Sequence, residues 1–373
     1  MPTNNETHPL GVSVYCLRNT LLQDVQNAGL DKSATVYDIE DLRQKEKEKF
    51  GVIRRKGASA ICPRDNEIGA AYVDCLEGVD NVGPANRMLS YVWKYTVGDI
   101  IDSLETYCHQ TGNNTKRTYI WICCLCNNQH RFQDEVPFNT LYDNFRGKVV
   151  GVGHILAMMA PWNEPLYLTR VWCIFEMHTA NSAGDVEVEI IMPPKERDNM
   201  LEGLRTYDNL VKALMGTRIE EAEASVNSDR ENIMKLVNYT AGGATALNNN
   251  VNTLLRSCYK TMMLAAVDDY GVLYNVDTST DLKFASLCHD VGRVMDETND
   301  YDKAIKLYEK SLAVKEEILG KEHTSTAVSY NNIGEVMKQQ GDLDGALEMY
   351  HKCLAAEEKV LGEEHTSTAT TYG

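Results

Sequence analysis

Glu176 stands inside a largely apolar stretch, Leu166 to Ala180 (LYLTRVWCIFEMHTA), among Val171, Trp172, Cys173, Ile174, Phe175 and Met177. On a helix, Trp172 and Glu176 lie one turn apart and share a face, with Cys173 beside them. An unpaired acid among bulky apolar groups is expensive to bury. Such a residue is paired, sits at a pocket edge, or is set up for chemistry. Pairing with Arg170 or another base would make Glu176 a helix anchor. Left in a partly apolar pocket, its carboxylate would stabilise developing positive charge, because low dielectric strengthens that interaction.

Other reactive side chains are less pointed. The eleven cysteines are odd in number and scattered, the pattern of reduced, mostly buried thiols in a cytosolic protein. Cys123, Cys124 and Cys126 fall in an apolar run near His130, but that spacing matches no zinc pattern, so no metal is expected. Arg54, Arg55 and Lys56 form the densest basic cluster, read as a solvated face or, alternatively, a phosphate contact. The net charge of −17 argues against sequence-independent binding to nucleic acid or an anionic membrane, both of which need clustered cations. No GxxxxGK[ST] loop occurs, so no nucleotide-driven switch is encoded. No apolar run reaches membrane-spanning length, and the polar start MPTNNETHPL carries no secretory signal.

The elements that must position these residues follow from periodicity. The polar residues up to about 10 are expected to be disordered. Val12–Leu17 is predicted as a strand, Asn19–Ala28 as a short helix, and Ile39–Phe50 as an exposed charged helix. Met88–Trp93 reads as a strand, and Val97–Tyr107 as a helix with apolar residues at Val97, Ile100, Ile101 and Leu104. Thr118–Leu125 reads as a central parallel strand, Gly147–Met159 as a further buried strand or strand-plus-turn, and Val186–Pro193 as an alternating strand. This order implies an α/β layer with a mostly parallel sheet. Asn127, Asn128 and Gln129 follow a strand end, where such sheets line a ligand crevice. Lys195 to about Asp269 is predicted helical, broken at Gly242–Gly243, with Tyr270–Asp281 as a linker.

The strongest internal signal is a repeat. ILGKEHTSTA from Ile318 recurs as VLGEEHTSTA from Val360. Cys288, Val291, Gly292, Met295, Ala304 and Tyr308 map onto Tyr330, Ile333, Gly334, Met337, Ala346 and Tyr350, the small and large positions of the tetratricopeptide pattern. The small residues let paired helices approach, and the tyrosines fill the space between. Glu316 and Glu358 replace the helix-ending proline, so each second helix should run on to Gly320 and Gly362. The LG-x-x-H turn resembles the repeats of kinesin light chain and nephrocystin-like proteins. A third unit only begins before Gly373, which leads to the expectation of a truncated array.

Three central blocks resemble known families. Leu89–Trp93 (LSYVW), Ile120–Trp121–Ile122 with Cys126–Gln129, and Arg170–Trp172 with Glu176 are similar to the three blocks of the fungal heterokaryon-incompatibility (HET) domain, a distant relative of the Toll/interleukin-1 receptor (TIR) fold. Trp172–Met177 also resembles the "WCLxEL" helix of plant TIR domains. Cys123 stands where the fungal block has Asp, Lys94 follows Trp93 where that block has Gly, and the TIR loop gating the NAD pocket has no counterpart. The resemblance implies that Glu176 is the catalytic residue of NAD cleavage, with Ser90, Trp93 and Asn127 lining the crevice and Trp172 packing beside the ligand. NAD would be a substrate, and no cofactor is implied.

The expected architecture is therefore an α/β extension over 1–84, a TIR/HET-like α/β domain over 85–195, a helical region and linker over 196–280, and an all-α tetratricopeptide segment over 281–373. Two functions are implied for a cytoplasmic signalling or defence protein. One is an NAD-cleaving effector joined to a partner-binding array. The other is a scaffold in which the TIR-like domain self-associates and the repeats bind a protein or peptide. A motor-cargo adaptor is a third reading, weakened because no heptad region is present. Neither nucleic acid nor membrane is an expected partner.

Overall fold

The structure is a computed structural model, and it describes residues 8–40, 51–131, 138–203, 218–224, 227–239 and 242–361. The described chain forms two compact units, one carrying residues up to Asn199 and the segment ending at Cys258, the other carrying the chain from Tyr259 onward. The first is a mixed α/β unit and the second is helical. No described helix is long and apolar enough to cross a membrane.

The sheet has six strands: β1 (Leu10–Ser13), β2 (Val82–Pro84), β3 (Arg87–Ser90), β4 (Tyr119–Trp121), β5 (His154–Met158) and β6 (Glu187–Ile191). Their spatial order is β2-β1-β4-β3-β5-β6. β3 pairs in parallel with both β4 and β5, and β5 with β6, while β1 is antiparallel to β2 and β4. The first parallel strand thus lies between its two successors. Connections leave it toward opposite edges, which makes the C-terminal ends of β3 and β5 a topological switch point. The central strands carry unbroken apolar runs because both faces are covered: Leu89, Ile120, Ile155, Leu156 and Met158 are all buried.

Helix α1 (Val97–Thr111) follows β3. Thr96 caps it by accepting from the Asp99 amide at 3.0 Å, and Gly112, at φ +68°, ends it in the left-handed region. Helix α2 (Phe138–Val152) precedes β5, and helix α3 (Val171–Ala183) precedes β6. Helices α4 (Pro194–Gly203), α5 (Asn227–Tyr239) and α6 (Gly243–Tyr274) follow.

Several elements differ from expectation. β1 ends at Ser13, whose side chain caps a helical turn in place of a longer strand to Leu17. Strand β4 covers only Tyr119–Trp121, and Cys123–Cys126 of the same apolar run is a short helix. Continuous apolarity marks burial on all sides and does not distinguish strand from helix. The Gly147–Met159 stretch is helical to Val152. Gly153, at φ +72°, turns the chain into β5 at His154. The predicted linker from Tyr270 is helical to Tyr274. The predicted Ile39–Phe50 helix lies mostly outside the described residues, where Ile39 and Glu40 end a short helix, Val36–Glu40. Residues 204–217 of the predicted helical region and the start of a third repeat also lie outside them.

The helical unit holds two antiparallel pairs, α7 (Leu282–Glu297) with α8 (Tyr301–Leu319) and α9 (Thr324–Gln340) with α10 (Leu343–Leu361). A Cβ on Gly292 would sit 2.9 Å from the Tyr308 ring, and one on Gly334 would sit 2.8 Å from the Tyr350 ring, so glycine sets the approach of each pair. Ala304 and Ala346 are buried in the same interfaces. Helix α8 runs to Leu319 as expected, and the LG-x-x-H turn has a structural reason. Gly320 ends α8 at φ +87° and ψ 162°, a conformation open essentially to glycine alone. His323 caps α9 by accepting from the Ser325 amide at 3.1 Å, and Thr326 Oγ1 donates to the Gly320 carbonyl at 2.9 Å.

Candidate functional site

Glu176 lies in the second turn of α3, and α3 brings it to the end of β3. Ser90, the last residue of β3 and fully buried, is hydrogen-bonded through Oγ to Glu176 Oε2 and donates to it when the carboxyl is ionised. Ser90 Oγ also lies 2.6 Å from the Tyr167 hydroxyl, which donates to the Cys173 carbonyl at 3.0 Å. Tyr167 belongs to the 3-10 turn Leu166–Thr169 that leads into α3 and is completely buried. The start of α3 is tied down independently, since the Val171 amide donates to the Glu223 carbonyl at 3.0 Å.

The surroundings are apolar or neutral. Burial pushes the Glu176 carboxyl from an ordinary value of 4.5 up to about 7, against the opposing pull of the Ser90 hydrogen bond. Burial likewise raises the Cys173 and Tyr167 groups, whose proton affinity the Glu176 charge raises further. Cys123 faces the same space from the segment after β4. Burial raises its thiol, hydrogen bonds from Tyr91 and Trp93 lower it, and the Glu176 charge raises it. The Tyr91 hydroxyl lies 3.5 Å from Cys123 Sγ and 3.1 Å from Cys124 Sγ. Among the described residues Glu176 makes no salt bridge, so the alternative in which it anchors the helix by pairing with Arg170 or another base gains no support from them.

Of the residues expected around Glu176, Ser90 meets it directly. Trp93 meets Cys123 and stacks edge-on with Tyr37 at 5.4 Å, one contact removed from the carboxyl. Trp172 turns elsewhere. Its indole nitrogen donates to Asp229 at 3.1 Å, and its ring packs on Phe145 and Phe175 at 5.9 and 6.5 Å. Asn127 accepts from Lys148 Nζ at 2.8 Å, which also sits 4.9 Å above the Trp121 ring. Asn128 donates to the Gly69 carbonyl at 2.8 Å, and Gln129 to that of Cys123 at 3.3 Å. These three amides tie loops together. Tyr167 and the Cys173 carbonyl were not anticipated; nothing in local sequence spacing marks a hydrogen bond made across the fold.

The basic cluster is largely structural. Arg54 pairs with the buried Glu40 at 2.7 Å, and Lys56 pairs with Asp24 at 3.0 Å. Among the described residues no three His, Cys, Asp or Glu side chains are grouped to hold a metal.

Similarity to known proteins is concentrated in the helical unit. The tetratricopeptide repeat family matches residues 285–355 and 325–373. The C-terminal region therefore consists of tetratricopeptide repeats. No curated protein matches the chain. Among solved structures, that of BtubC (BKLC) from P. vanneervenii is 14% identical with a TM-score of 0.26, covering 56% of this chain and 81% of that one.

Proposed function

We propose that the α/β unit is a TIR-like or HET-like effector domain that cleaves the nicotinamide–ribose bond of NAD through Glu176, in a cytoplasmic signalling or defence protein. Its tetratricopeptide repeats bind a protein or peptide partner, the role such scaffolds generally serve. The supporting observation is the placement of Glu176: a carboxyl at the switch point of the parallel strands, hydrogen-bonded to Ser90 and desolvated. In the reaction the ribose–nitrogen bond breaks with its electron pair leaving on nicotinamide. The ribose carbon becomes oxocarbenium-like, ionised Glu176 stabilises that charge, and water adds to the carbon and loses a proton. Ser90 holds the carboxylate in position.

A second reading is a non-catalytic scaffold in which the α/β unit self-associates. The observation favouring it is that Trp93, Trp172 and Asn127 are already engaged inside the fold. One assay separates the two. Purified protein, concentrated enough to self-associate, is incubated with NAD, and nicotinamide release is followed for wild type and Glu176→Gln. Release by the wild type alone, rising with pH through about 7, is expected. Equal release by both removes Glu176 from the mechanism, and release by neither leaves the scaffold.

A further inference from the structure

Three oxygen–oxygen contacts run in series from Glu176: carboxyl to Ser90 Oγ, Ser90 Oγ to the Tyr167 hydroxyl at 2.6 Å, and that hydroxyl to the Cys173 carbonyl at 3.0 Å. Each contact needs one proton. A carbonyl only accepts, so Tyr167 uses its single hydroxyl proton on Cys173. Ser90 must then donate to Tyr167. The remaining contact can take its proton only from the carboxyl. Neutral Glu176 therefore satisfies all three contacts. Ionised Glu176 leaves two protons for three contacts, and one pair of oxygens must face each other without a hydrogen between them, which is costly because Ser90 and Tyr167 are fully buried.

We propose that Tyr167 is a positioning residue which, through Ser90, keeps Glu176 protonated in the resting domain. The groups facing the carboxyl agree with that state. Cys123 after β4, Tyr167 before α3 and Cys173 on α3 are each neutral groups whose proton affinity burial raises. Tyr91, beyond β3, is held neutral in the same way. Farther along α3, Phe175 meets Tyr142 from α2 and Trp172 meets Asp229 from α5. Arg170, at the start of α3, acts on the Cys173 thiol. When the proton leaves, Ser90 turns its hydrogen to the carboxylate, Tyr167 turns its own to Ser90, and the Cys173 carbonyl keeps its place in the helix ladder. For NAD cleavage, which rests on the function proposed above, the charge-stabilising carboxylate then exists only after this proton has gone.

The proposal makes a signed prediction. Tyr167→Phe takes two hydrogen bonds from the neutral form and one from the ionised form, so it should lower the Glu176 titration midpoint by about half to one pH unit. Ser90→Ala removes a charge-assisted hydrogen bond from the ionised form, stronger than the neutral bonds it removes from the protonated one, and should raise it. If Tyr167 served only to polarise Ser90 toward a carboxylate, both variants would raise it. The full chain, carrying ¹³C-labelled glutamate carboxyls, is titrated by NMR between about pH 4 and about pH 9, with the Glu176 signal assigned by its loss in Glu176→Gln. The wild type should still be mostly protonated at about pH 6, with Tyr167→Phe below it and Ser90→Ala above. An ionised wild-type signal at about pH 6, which needs no Tyr167 variant to detect, overturns the proposal, as does a Tyr167→Phe midpoint that rises or stays put. The titration does not depend on NAD turnover, so failure of the enzymatic reading and failure of this one are seen separately.

Discussion

Replacing Glu176 by Gln should stabilise the α/β unit at alkaline pH and leave it nearly unchanged in acid. Folding raises the Glu176 value from 4.5 to about 7, so the folded chain holds this proton more tightly than the unfolded chain does. Its contribution is fully present below 4.5 and is lost as pH rises through about 7. The displacement corresponds to about 3 kcal/mol, and to about 2–3 kcal/mol once the residue's partial exposure is allowed for. Gln stays neutral at every pH, and its amide can donate to Ser90 where the acid proton did. All four tryptophans, Trp93, Trp121, Trp162 and Trp172, belong to the α/β unit, so their emission reports its unfolding without interference from the repeats. Denaturant and thermal unfolding followed by that emission, at about pH 4.5 and about pH 8, give the difference between variant and wild type. It should grow from near zero to about 2–3 kcal/mol, or roughly 4–12 °C in Tm. Parallel behaviour at the two pH values would refute the reasoning. A wild type more stable than the variant at about pH 8 would do so more strongly, since it would mean that the carboxylate is charged and paired.

Packing supplies the remaining tests. In an open helix Gly→Ala gains about 1 kcal/mol, but the Tyr308 ring stands 2.9 Å from where the new methyl would sit at Gly292. Gly292→Ala should therefore lose about 1–2 kcal/mol net, and Gly334→Ala less, because Tyr350 is more exposed than Tyr308 and its ring has room to shift. Amide hydrogen exchange across α7–α10 reads both; faster exchange in Gly334→Ala than in Gly292→Ala would contradict this account. Gly57→Ala should be worse than either, at more than about 2 kcal/mol, since its methyl would fall 2.0 Å from the Ala70 carbonyl oxygen, and backbone cannot step aside as a ring can. Tryptophan emission on unfolding measures that loss.

What could be read in advance depended on whether the signal was local. Helix α1 and strand β6 carry their own periodicity, and the repeats announce themselves by self-similarity, so the α/β and tetratricopeptide parts of the architecture were legible. The Ile122–Cys126 segment was not. Its apolar run continues unbroken from β4 into a helical turn, and burial alone fixes neither. The place of β1 and β2 was also hidden. Leu10 pairs with Pro84 and Val12 with Ile120, contacts far apart in the chain that make the N-terminal segment part of the same sheet. Phe145 and Val149, one turn apart and buried, were the available signal that Gly147–Met159 begins as helix.

The site divides along the same line. Glu176 was visible as a lone acid among apolar residues, and Ser90 through the resemblance of its LSYVW block to the fungal domain. Trp172 shares a helix face with Glu176 by spacing, yet the two diverge, because a long helical side chain leans over the turn before it. The indole leans to Phe145 and Asp229, while the carboxyl reaches Ser90. The flank of the carboxyl toward Trp172 is thereby filled with aromatic packing. The side facing Cys123 and Trp93, both half-buried, is the one from which a ribose must approach if Glu176 is to act on it. The Asp-to-Cys difference from the fungal block at position 123 falls on that side of the carboxyl. It puts a thiol there in place of a second carboxylate, whose charge would raise the proton affinity of Glu176 still further.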